Sequence, residues 1–417
     1  IKPGTYNLVV MKEGWGVRYL YDVDIAEGDN TVSSKNSEDT ISNTDNKASY
    51  SKSVKENYLM QKSGSIELYP VTQLAGYINN PFEFKSNHSY LAINDASFTG
   101  EVIFSPNSYI WINSGKKIYF YNLVSSPTID NDFIKITSAD KIYSSTRADS
   151  ISRFYSFNFT EQAQFSGNRL NNIVFSHSTF GMVIKIAGIT ISNIVCSHCL
   201  QGLTIEQTNN VTITNCNVSQ TDDPEQGGIT LSDCSNTLCS NLIIKDCKVG
   251  IRQHSCDNGN IDNCYFCNNS LKDIYNLYDN TSNVTHCTFE NSNVAIDNSG
   301  RSTTIVYYCN INAQIGINNY AQTNWVAAFF TANYNNFNCS IYGIRTFAVF
   351  YSEYHFNATY NYWGTTNESI ISGALIYDRY DVDPSHQDYY RLWGIIDYIP
   401  YMHSLVQTAG IILERSK

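Results

Sequence analysis

Several features that would assign a chain to a common functional class are scarce or missing here. Charged residues make up only 16% of the 417 residues, and the formal net charge is −11. Because nucleic-acid recognition needs a basic surface stripe, this acidic balance argues against nucleic acid as a partner. No run of about 18 apolar residues occurs, so the sequence predicts no membrane span. We expect solubility to come from the abundant Asn, Ser and Thr.

Motifs of known catalytic chemistry are missing as well. Serine-hydrolase, P-loop and dinucleotide-binding patterns do not occur in a credible context. The Gly-His-Gly and Arg-x-Lys motifs of hydrolase type are absent too. Cys196 with Cys199, and Cys264 with Cys267, have the spacing of zinc ligands, but both pairs fall inside β-patterned segments rather than on turns. We therefore expect no catalytic residues, no cofactor and no metal site.

A short pattern recurs from about residue 190 to residue 340. An aliphatic residue is followed by two polar residues, a cysteine, a polar residue and an apolar residue, and the cysteines are 31, 17, 23 and 22 residues apart. Ile194 and Phe337 occupy the cysteine position in the flanking copies. Such self-similarity is typical of a repeat architecture. The five cysteines in this position are Cys216, Cys247, Cys264, Cys287 and Cys309.

The repeats are built from short strands. Each repeat of roughly 20 to 25 residues holds two or three runs too short for helices, and many runs follow a glycine, as in Gly228-Ile229 and Gly250-Ile251. A leucine-rich repeat signature is absent. The sequence therefore predicts an all-β chain, a right-handed parallel β-helix whose coils stack about 4.8 Å apart. The five cysteines would form a column of buried thiols along one inner edge.

The chain is expected to contain several segments in addition to the repeats. Residues 1–32 alternate apolar and polar residues around Pro3-Gly4, Gly14 and Gly28, and they resemble the second half of a carboxypeptidase-regulatory-like β-sandwich domain. That resemblance implies a short β-sandwich-like segment with an open edge, which invites pairing with another chain. We predict a polar linker over 33–58, a β-helix over 59–401 with a cap from about 361, and a short C-terminal helix or tail over 402–417, with Leu405, Ile411 and Ile412 facing inward.

The closing part of the β-helix carries a more specific signal. It reads Asn361-Tyr-Trp-Gly, then Ile376-Tyr-Asp378, then Gly394-Ile-Ile-Asp-Tyr-Ile-Pro-Tyr401. This combination resembles the closing segment of NosD-like right-handed β-helix proteins of archaeal and bacterial surfaces. The resemblance implies the fold and an extracytoplasmic location in the cell envelope, and it implies no activity. The chain starts at Ile1, and we expect it to be processed or trimmed.

Asparagine sequons are also frequent. Ten Asn-x-Ser/Thr sequons occur, close to the roughly eight or nine that chance would give in such a composition. They permit glycosylation without proving it. The candidate acceptors are Asn87, Asn158, Asn210, Asn217, Asn268, Asn280, Asn283, Asn338, Asn357 and Asn367.

The remaining cysteines raise the question of disulfides. The chain has twelve cysteines in all, and this even number suggests an oxidising location. Buried thiols remain the alternative, because a free cysteine behaves as a small apolar residue. The candidates for disulfides within or between chains are Cys199, Cys234, Cys239, Cys256, Cys267 and Cys339.

One group of residues could suit a sugar-cleaving site. Asp222-Asp-Pro-Glu225 forms a long acidic loop, and Arg252 and His254 are two residues apart, so they share a strand face. Lys245 lies one coil earlier. A solvated loop beside surface charges is the more common structure for such a sequence, so we expect no enzyme.

Together these features predict a structural, self-assembling protein of an extracellular sheath or surface layer. We expect a methanogen sheath-type glycoprotein that polymerises with itself in an amyloid-like manner and is reinforced by intersubunit disulfides. Cell-wall or other surface proteins are further candidate partners. Two alternatives remain open. One is a polysaccharide-binding or polysaccharide-cleaving β-helix, and the other is a viral or cellular adhesin.

Overall fold

The computed structural model describes most of the region predicted as a β-helix. In the described residues no helix is long and apolar enough to cross a membrane. The described ranges are 4–12, 16–25, 32–34, 40–44, 47–49, 71–86, 88–125, 133–138, 156–160, 162–278, 281–320, 328–347, 354–381 and 394–411.

The N-terminal segment forms an antiparallel sheet. Its strands follow chain order and are β1 (Gly4–Lys12), β2 (Gly16–Ile25), β3 (Val32–Ser34), β4 (Thr40–Thr44) and β5 (Lys47–Ser49). The predicted linker over 33–58 therefore contains strands β4 and β5. The reason lies in the β-branched residues of Thr40–Thr44, which favour a strand despite the polar composition of the segment.

The β-helix begins with coils of less regular length. Their strands are β6 (Val71–Ile78), β7 (Phe82–Phe84), β8 (Ser89–Phe98), β9 (Val102–Phe104), β10 (Tyr109–Ile112), β11 (Lys117–Phe120), β12 (Leu123–Ser125), β13 (Ile134–Ser138), β14 (Ser156–Phe159) and β15 (Gln164–Phe165). Stacked phenylalanine rings fill this part of the core, with ring centroids 5.2 Å apart for Phe98 and Phe120 and 5.0 Å apart for Phe120 and Phe159.

A 3-10 turn at Ser166–Asn168 precedes the regular coils. Their strands are β16 (Arg169–Ser176), β17 (Met182–Ile184), β18 (Thr190–Ser197), β19 (Leu203–Glu206), β20 (Thr212–Thr214), β21 (Asn217–Ser219), β22 (Ile229–Ser232), β23 (Leu238–Ser240), β24 (Ile243–Lys245), β25 (Val249–His254), β26 (Gly259–Asp262), β27 (Tyr265–Cys267), β28 (Lys272–Leu277), β29 (Ser282–Thr285), β30 (Thr288–Ser299), β31 (Thr303–Tyr307), β32 (Asn310–Tyr320), β33 (Phe329–Asn333), β34 (Asn336–Phe337) and β35 (Tyr342–Phe347).

The last coil carries the only α-helical turn of the described residues. Its elements are β36 (Tyr354–Asn357), α1 (Glu368–Ile370), a π-helical turn (Ile371–Leu375), β37 (Ile376–Tyr377), a 3-10 turn (Arg379–Asp381) and β38 (Gly394–Asp397).

Each coil contributes to three faces, and every strand pairs in parallel with its counterpart in the next coil. Face 1 includes β21, β24 and β27; face 2 includes β19, β22, β25 and β28; face 3 includes β20, β23, β26 and β29. The long strands β30 and β32 bend around the corner from face 1 to face 2. The result is a parallel β-helix of about eleven coils, which confirms the predicted fold class.

Aliphatic and aromatic columns fill the space between the faces. On face 2, Ile229, Ile251 and Ile274 stand in register with one another, and the column continues through Ile296 and Ile317. All five side chains have no exposed surface. Burying such side chains stabilises the fold by roughly 1.5 to 3 kcal/mol each relative to full exposure.

The corner between face 3 and face 1 turns through a left-handed backbone conformation in each coil. Asparagine, which tolerates positive φ, occupies this corner at Asn215, Asn241 and Asn263. In later coils the same position is held by aromatic rings, whose stacking supports the turn. The rings of His286, Tyr308, Tyr334 and Tyr360 form a column with centroid spacings of 5.5, 5.4 and 5.3 Å.

The register corrects the predicted cysteine column. Successive coils bring Cys216, Leu242, Cys264, Cys287 and Cys309 into one buried column, as the backbone hydrogen bonds between coils show. Leu242 therefore occupies the position that was assigned to Cys247. The physical reason is that the positions of the backbone turns set the length of each coil. The loop of 220–228 lengthens one coil, so the residue that matches the motif by sequence similarity no longer stands above Cys216.

Cys247 lies one corner further along, on the same column as Cys199. Thr221 and Asn269 stand below and above it, since Ser270 N donates to Cys247 O and Lys248 N donates to Thr221 O. Phe337 was also misassigned, because it pairs with Ile311.

The cysteine column ends in two buried asparagines. Asn335 takes the position above Cys309, and its Oδ1 accepts the Cys309 N–H at 2.8 Å. Asn361 repeats this contact one coil later, where its Oδ1 accepts the Asn335 N–H at 2.8 Å. Trp363, two residues on, stacks on Phe337 with centroids 4.8 Å apart. The Asn-Tyr-Trp motif is therefore the last copy of the repeat.

The C-terminal strap, residues 402–411, contains no helix in its described length. It runs back along face 1, past Asn336, then Asn310, then Thr288. Val406, only 8% exposed, faces inward, whereas Leu405 is 54% exposed. The predicted inward position of Leu405 is therefore wrong, Ile411 is half-buried, and Ile412 lies outside the described residues. Of the two predicted alternatives, a helix or a tail, residues 402–411 form a tail.

Candidate functional site

The outer surface of face 2 carries a stripe of polar and aromatic side chains in register. Its members follow the buried isoleucine of each coil by one residue, so they point outward from successive coils. We call this set the arginine stripe: Arg252, Tyr275, Asp297, Asn318 and Arg345. The sequence carried a signal for it, because Gly250-Ile251-Arg252, Gly316-Ile317-Asn318 and Gly343-Ile344-Arg345 share one spacing.

The centre of the stripe is a hydrogen-bonded chain of charges and amides. Lys272 Nζ lies 2.6 Å from Asp297 Oδ2 and 3.5 Å from the centroid of the Tyr275 ring. Asn318 Nδ2 donates to Asp297 Oδ1 at 3.1 Å, and Arg345 Nε donates to Asn318 Oδ1 at 2.7 Å. The carboxylate of Asp297 is thereby engaged from both sides, which leaves it poorly placed to act as a base or nucleophile.

The acidic loop predicted as a catalytic candidate has a positioning role. Asp223 Oδ1 accepts the N–H groups of Glu225 and Gln226 at 2.9 and 3.0 Å, and its Oδ2 accepts from Gln201 Nε2 at 3.1 Å. The fixed loop then presents Gln226 Oε1 to Arg252 Nη1 at 3.0 Å. Asp222 is exposed at the start of the same loop.

The structure brings some of the predicted cleavage-site residues together and separates others. Arg252 and His254 share the outer surface of face 2, as predicted, and burial together with the Arg252 charge lowers the pKa of His254. Lys245 is on face 1, because it belongs to β24, so it does not join them. Of the three acidic residues of the loop, Asp223 is engaged in fixing the loop, whereas Asp222 and Glu225 are exposed.

Two carboxylates at the end of the β-helix are used as backbone caps. Asp378 accepts the Ile396 N–H at 2.9 Å through Oδ2 and the Tyr380 N–H at 2.9 Å through Oδ1. Asp381 Oδ2 accepts the Asp378 N–H at 2.9 Å. Burial raises the pKa of both Asp378 and Asp381. These contacts join β37 to β38, so the pair closes the last coil.

All twelve cysteines lie within the described residues, and all are free thiols. Ten are buried, and four of the six disulfide candidates belong to this group: Cys199, Cys234, Cys239 and Cys256. Cys234 and Cys256 share a column with Thr208, as their interstrand hydrogen bonds show. A thiol inside the β-helix cannot reach another chain unless the coil opens.

The remaining two candidates are partly exposed. Cys267 is on the outer surface of face 1, between Lys245 and Glu290 in adjacent coils. Cys339 lies just past β34, and burial raises the pKa of its thiol to about 12. These two thiols are the ones that the described surface offers to a second chain.

The sequons differ in accessibility. Asn158 is half-buried, and its amide donates to Ile118 O and to Ser156 Oγ. Asn217 and Asn283 are half-buried too, while Asn87 and Asn280 lie outside the described residues. The exposed acceptor candidates are Asn210, Asn268, Asn338, Asn357 and Asn367. In the described ranges no group of three or more His, Cys, Asp or Glu side chains is arranged to hold a metal ion.

A match to a known family model agrees with this architecture. Residues 154–270 match the family model of a right handed beta helix region. No curated protein matches the chain.

Three solved structures resemble it at low identity. The complex of XylC with xylose is 12% identical, with 75% of this chain and 51% of that chain covered and a TM-score of 0.35. A mutant of the periplasmic alginate epimerase AlgG is 10% identical, with 81% and 77% covered and a TM-score of 0.30. The enzymatically active domain of bacteriophage CBA120 tailspike protein 2 is 12% identical, with 65% and 44% covered and a TM-score of 0.26.

The chain spans about half the length of the first of these structures. Similarities this distant carry no argument about activity. The strand pairing and the family match together identify the fold: the chain is an all-β protein built on a right-handed parallel β-helix.

Proposed function

We propose that this protein is a structural component of an extracellular sheath or surface layer of archaeal type, and that it assembles with copies of itself. The observation that carries the proposal is the pairing of uncharged side chains with like side chains in the next coil. Asn258 Nδ2 donates to Asn236 Oδ1 and Asn236 Nδ2 to Asn210 Oδ1, both at 3.3 Å. Asn263 donates to Asn241 at 2.6 Å.

Such ladders direct hydrogen-bonding capacity along the axis of the β-helix. Asn336 donates to Asn310 at 2.7 Å, and Asn333 donates to Asn357 at 2.9 Å, so the arrangement extends to the last coils. In-register asparagine ladders also reinforce cross-β assemblies. With about eleven coils and a rise of about 4.8 Å per coil, the β-helix is a rod about 50 Å long. A rigid rod with few charged side chains suits a structural role.

The ends of the rod supply the surfaces for assembly. Within the described residues, β38 pairs with β36 alone, so the C-terminal end presents a strand edge, and β6 pairs with β8 alone while also contacting β1. Exposed apolar side chains accompany both ends: Tyr77 is 80% exposed and Ile399 is 57% exposed. We propose that copies stack end to end, and that Cys267 and Cys339, on the side of the rod, are the thiols available for reinforcement between neighbouring rods.

Electron microscopy of the purified protein tests this proposal. Filaments, hoops or lattices are expected, and Tyr77→Lys should shorten or abolish them because a charge at a strand edge opposes pairing. Ile103→Lys is the matched control, since Ile103 is 42% exposed on the side of the rod within β9. Isolated rods at every concentration would rule out self-assembly. Gels run with and without reductant then report on cross-linking, and monomer without reductant removes the disulfide component.

A further inference from the structure

We propose that the arginine stripe binds an anionic polysaccharide, a carboxylated glycan strand that runs along the axis of the β-helix. The inference starts from the two arginines at its ends. Neither Arg252 nor Arg345 forms an ion pair with a described carboxylate. Each is held instead by an amide oxygen, from Gln226 at 3.0 Å and from Asn318 at 2.7 Å. An amide orients a guanidinium without neutralising it.

Both guanidinium groups therefore keep their charge, and each keeps N–H donors that no described acceptor uses, while Nε of Arg252 is itself buried. Arg345 and Arg252 are half-buried, and burial lowers the pKa of Arg345. Partial desolvation of an unpaired cation is unfavourable, and a carboxylate ligand offsets that cost. The remaining N–H groups of an arginine match a carboxylate in a planar, bidentate geometry. The two ends of the stripe are thus suited to carboxylates.

The surface around Arg345 suits the ring of a sugar. The Arg345 guanidinium lies 5.3 Å from the Phe347 ring centroid. The Tyr377 ring lies 5.4 Å from the Phe347 ring and 5.4 Å from the Tyr342 ring, measured between centroids. Tyr320 adds a further ring, 46% exposed, beside Phe347. Aromatic side chains of this kind provide large apolar faces with a polar edge, against which sugar rings pack.

The distance between the two arginines favours a polyanion with widely spaced charges. Arg252 and Arg345 are separated by four coil steps, about 19 Å at about 4.8 Å per step. Double-stranded DNA carries a charge about every 1.7 Å and demands a dense basic surface, which a chain of net charge −11 lacks. A strand with carboxylates spaced along an extended sugar backbone needs fewer, widely separated contacts.

The charges that face the stripe leave it locally positive. Lys272 and Asp297 neutralise each other at 2.6 Å. Glu225, on the loop at one edge, is exposed and lies near Tyr275. The positive charges of Arg252 and Arg345 then exceed the negative charge of Glu225. The loop that fixes Gln226 also aligns Arg252, so Asp223 and Gln226 are positioning residues for the binding surface.

Binding measurements with polygalacturonate and its fully methyl-esterified form provide the test, because esterification removes the charge and keeps the sugar backbone. The native chain is expected to bind the free acid and to bind the ester at least tenfold more weakly. Arg252→Gln and Arg345→Gln should each weaken binding of the acid by roughly tenfold, the loss of one charge-assisted contact. Lys245→Gln, an exposed cation on face 1, is the matched control and should change nothing.

Asp297→Asn separates a binding role from a structural one. It removes the carboxylate of the stripe and frees Lys272, so binding of the acid should tighten several-fold. Circular dichroism of each variant confirms that it is folded. Equal binding of acid and ester, no loss in the arginine variants, or weaker binding by folded Asp297→Asn would overturn the proposal. None of these outcomes alters filament formation, so the assembly proposal stands or fails separately.

Discussion

Among single residues, those with buried polar side chains have the largest effect on the stability of this fold. Asp273 has no exposed surface, and its Oδ1 accepts from Asn269 at 2.7 Å and from Ser292 at 2.8 Å, while Oδ2 has no partner. Burial raises the pKa of this carboxyl to about 8, against the opposing effect of the two hydrogen bonds. The side chain is therefore protonated in the folded protein at neutral pH.

Asp273→Asn should make stability less dependent on pH. Because the folded pKa lies above the unfolded value, the stabilising contribution is complete below about pH 4 and is lost as the pH rises towards 8. The native protein should lose about 1.4 kcal/mol per pH unit relative to the variant across this window. Urea unfolding at pH 5, 7 and 9 measures the difference. Asp246→Asn, at an exposed site, should leave the pH profile unchanged.

Thiol accessibility provides a second test at the residue scale. Ten of the twelve cysteines are buried, so in the folded protein a thiol reagent should label Cys267 readily and Cys339, whose thiol pKa burial raises to about 12, more slowly. In denaturant all twelve should react. Changing Cys267 and Cys339 to Ser together should abolish labelling of the folded state. Rapid labelling of more than two thiols would contradict the buried columns.

At the scale of elements, the closing motif depends on one asparagine. Asn361 Oδ1 accepts from Asn335 N and Nδ2, and its own Nδ2 donates to Ala332 O and Ala358 O at 2.7 Å each. Asn361→Ala leaves several buried groups unpaired and should destabilise the protein by about 2 to 4 kcal/mol. The control Asn338→Ala removes an exposed side chain with one 3.5 Å contact and should cost less than about 0.5 kcal/mol. Denaturant titrations compare the two.

The C-terminal strap is a second element whose contacts can be tested. Asn336 forms two reciprocal hydrogen bonds with the strap. Val406 N donates to Asn336 Oδ1 at 2.7 Å, and Asn336 Nδ2 donates to Val406 O at 3.1 Å. Asn336→Ala should speed amide hydrogen exchange at Val406 and Gly410. Exchange in β26 and β29, away from the strap, should stay unchanged. Unaltered protection of the strap would show that Asn336 does not hold it.

The local sequence pattern predicted some elements correctly and missed others. Short strands after a glycine were predictable because the Gly-Ile pairs of face 2 mark a corner where neighbouring backbones approach closely. A Cβ on Gly250, for example, would lie 2.5 Å from Asp273 O. Strands β4 and β5 were missed because their composition is that of a loop. The strap was predicted incorrectly because its partners, Asn336, Asn310 and Thr288, lie far from it in the sequence.

At the scale of the whole molecule, register decides which residues become neighbours. The motif match placed Cys247 beside Cys216, yet the folded coils place Leu242 there, because the loop of 220–228 adds length that local sequence similarity does not count. The same register assembles the arginine stripe from five coils. Each of its members looks like an isolated surface residue in the sequence.

The repeated alternation of apolar and polar residues was sufficient to specify an all-β parallel β-helix, since every coil must bury the same inward side chains. The tertiary structure alone decided which cysteines stack, that Asp223 supports a loop, and that two arginines share one face without a carboxylate partner. The physical reason is that coil stacking joins residues more than twenty positions apart, and the lengths of the intervening turns set that pairing.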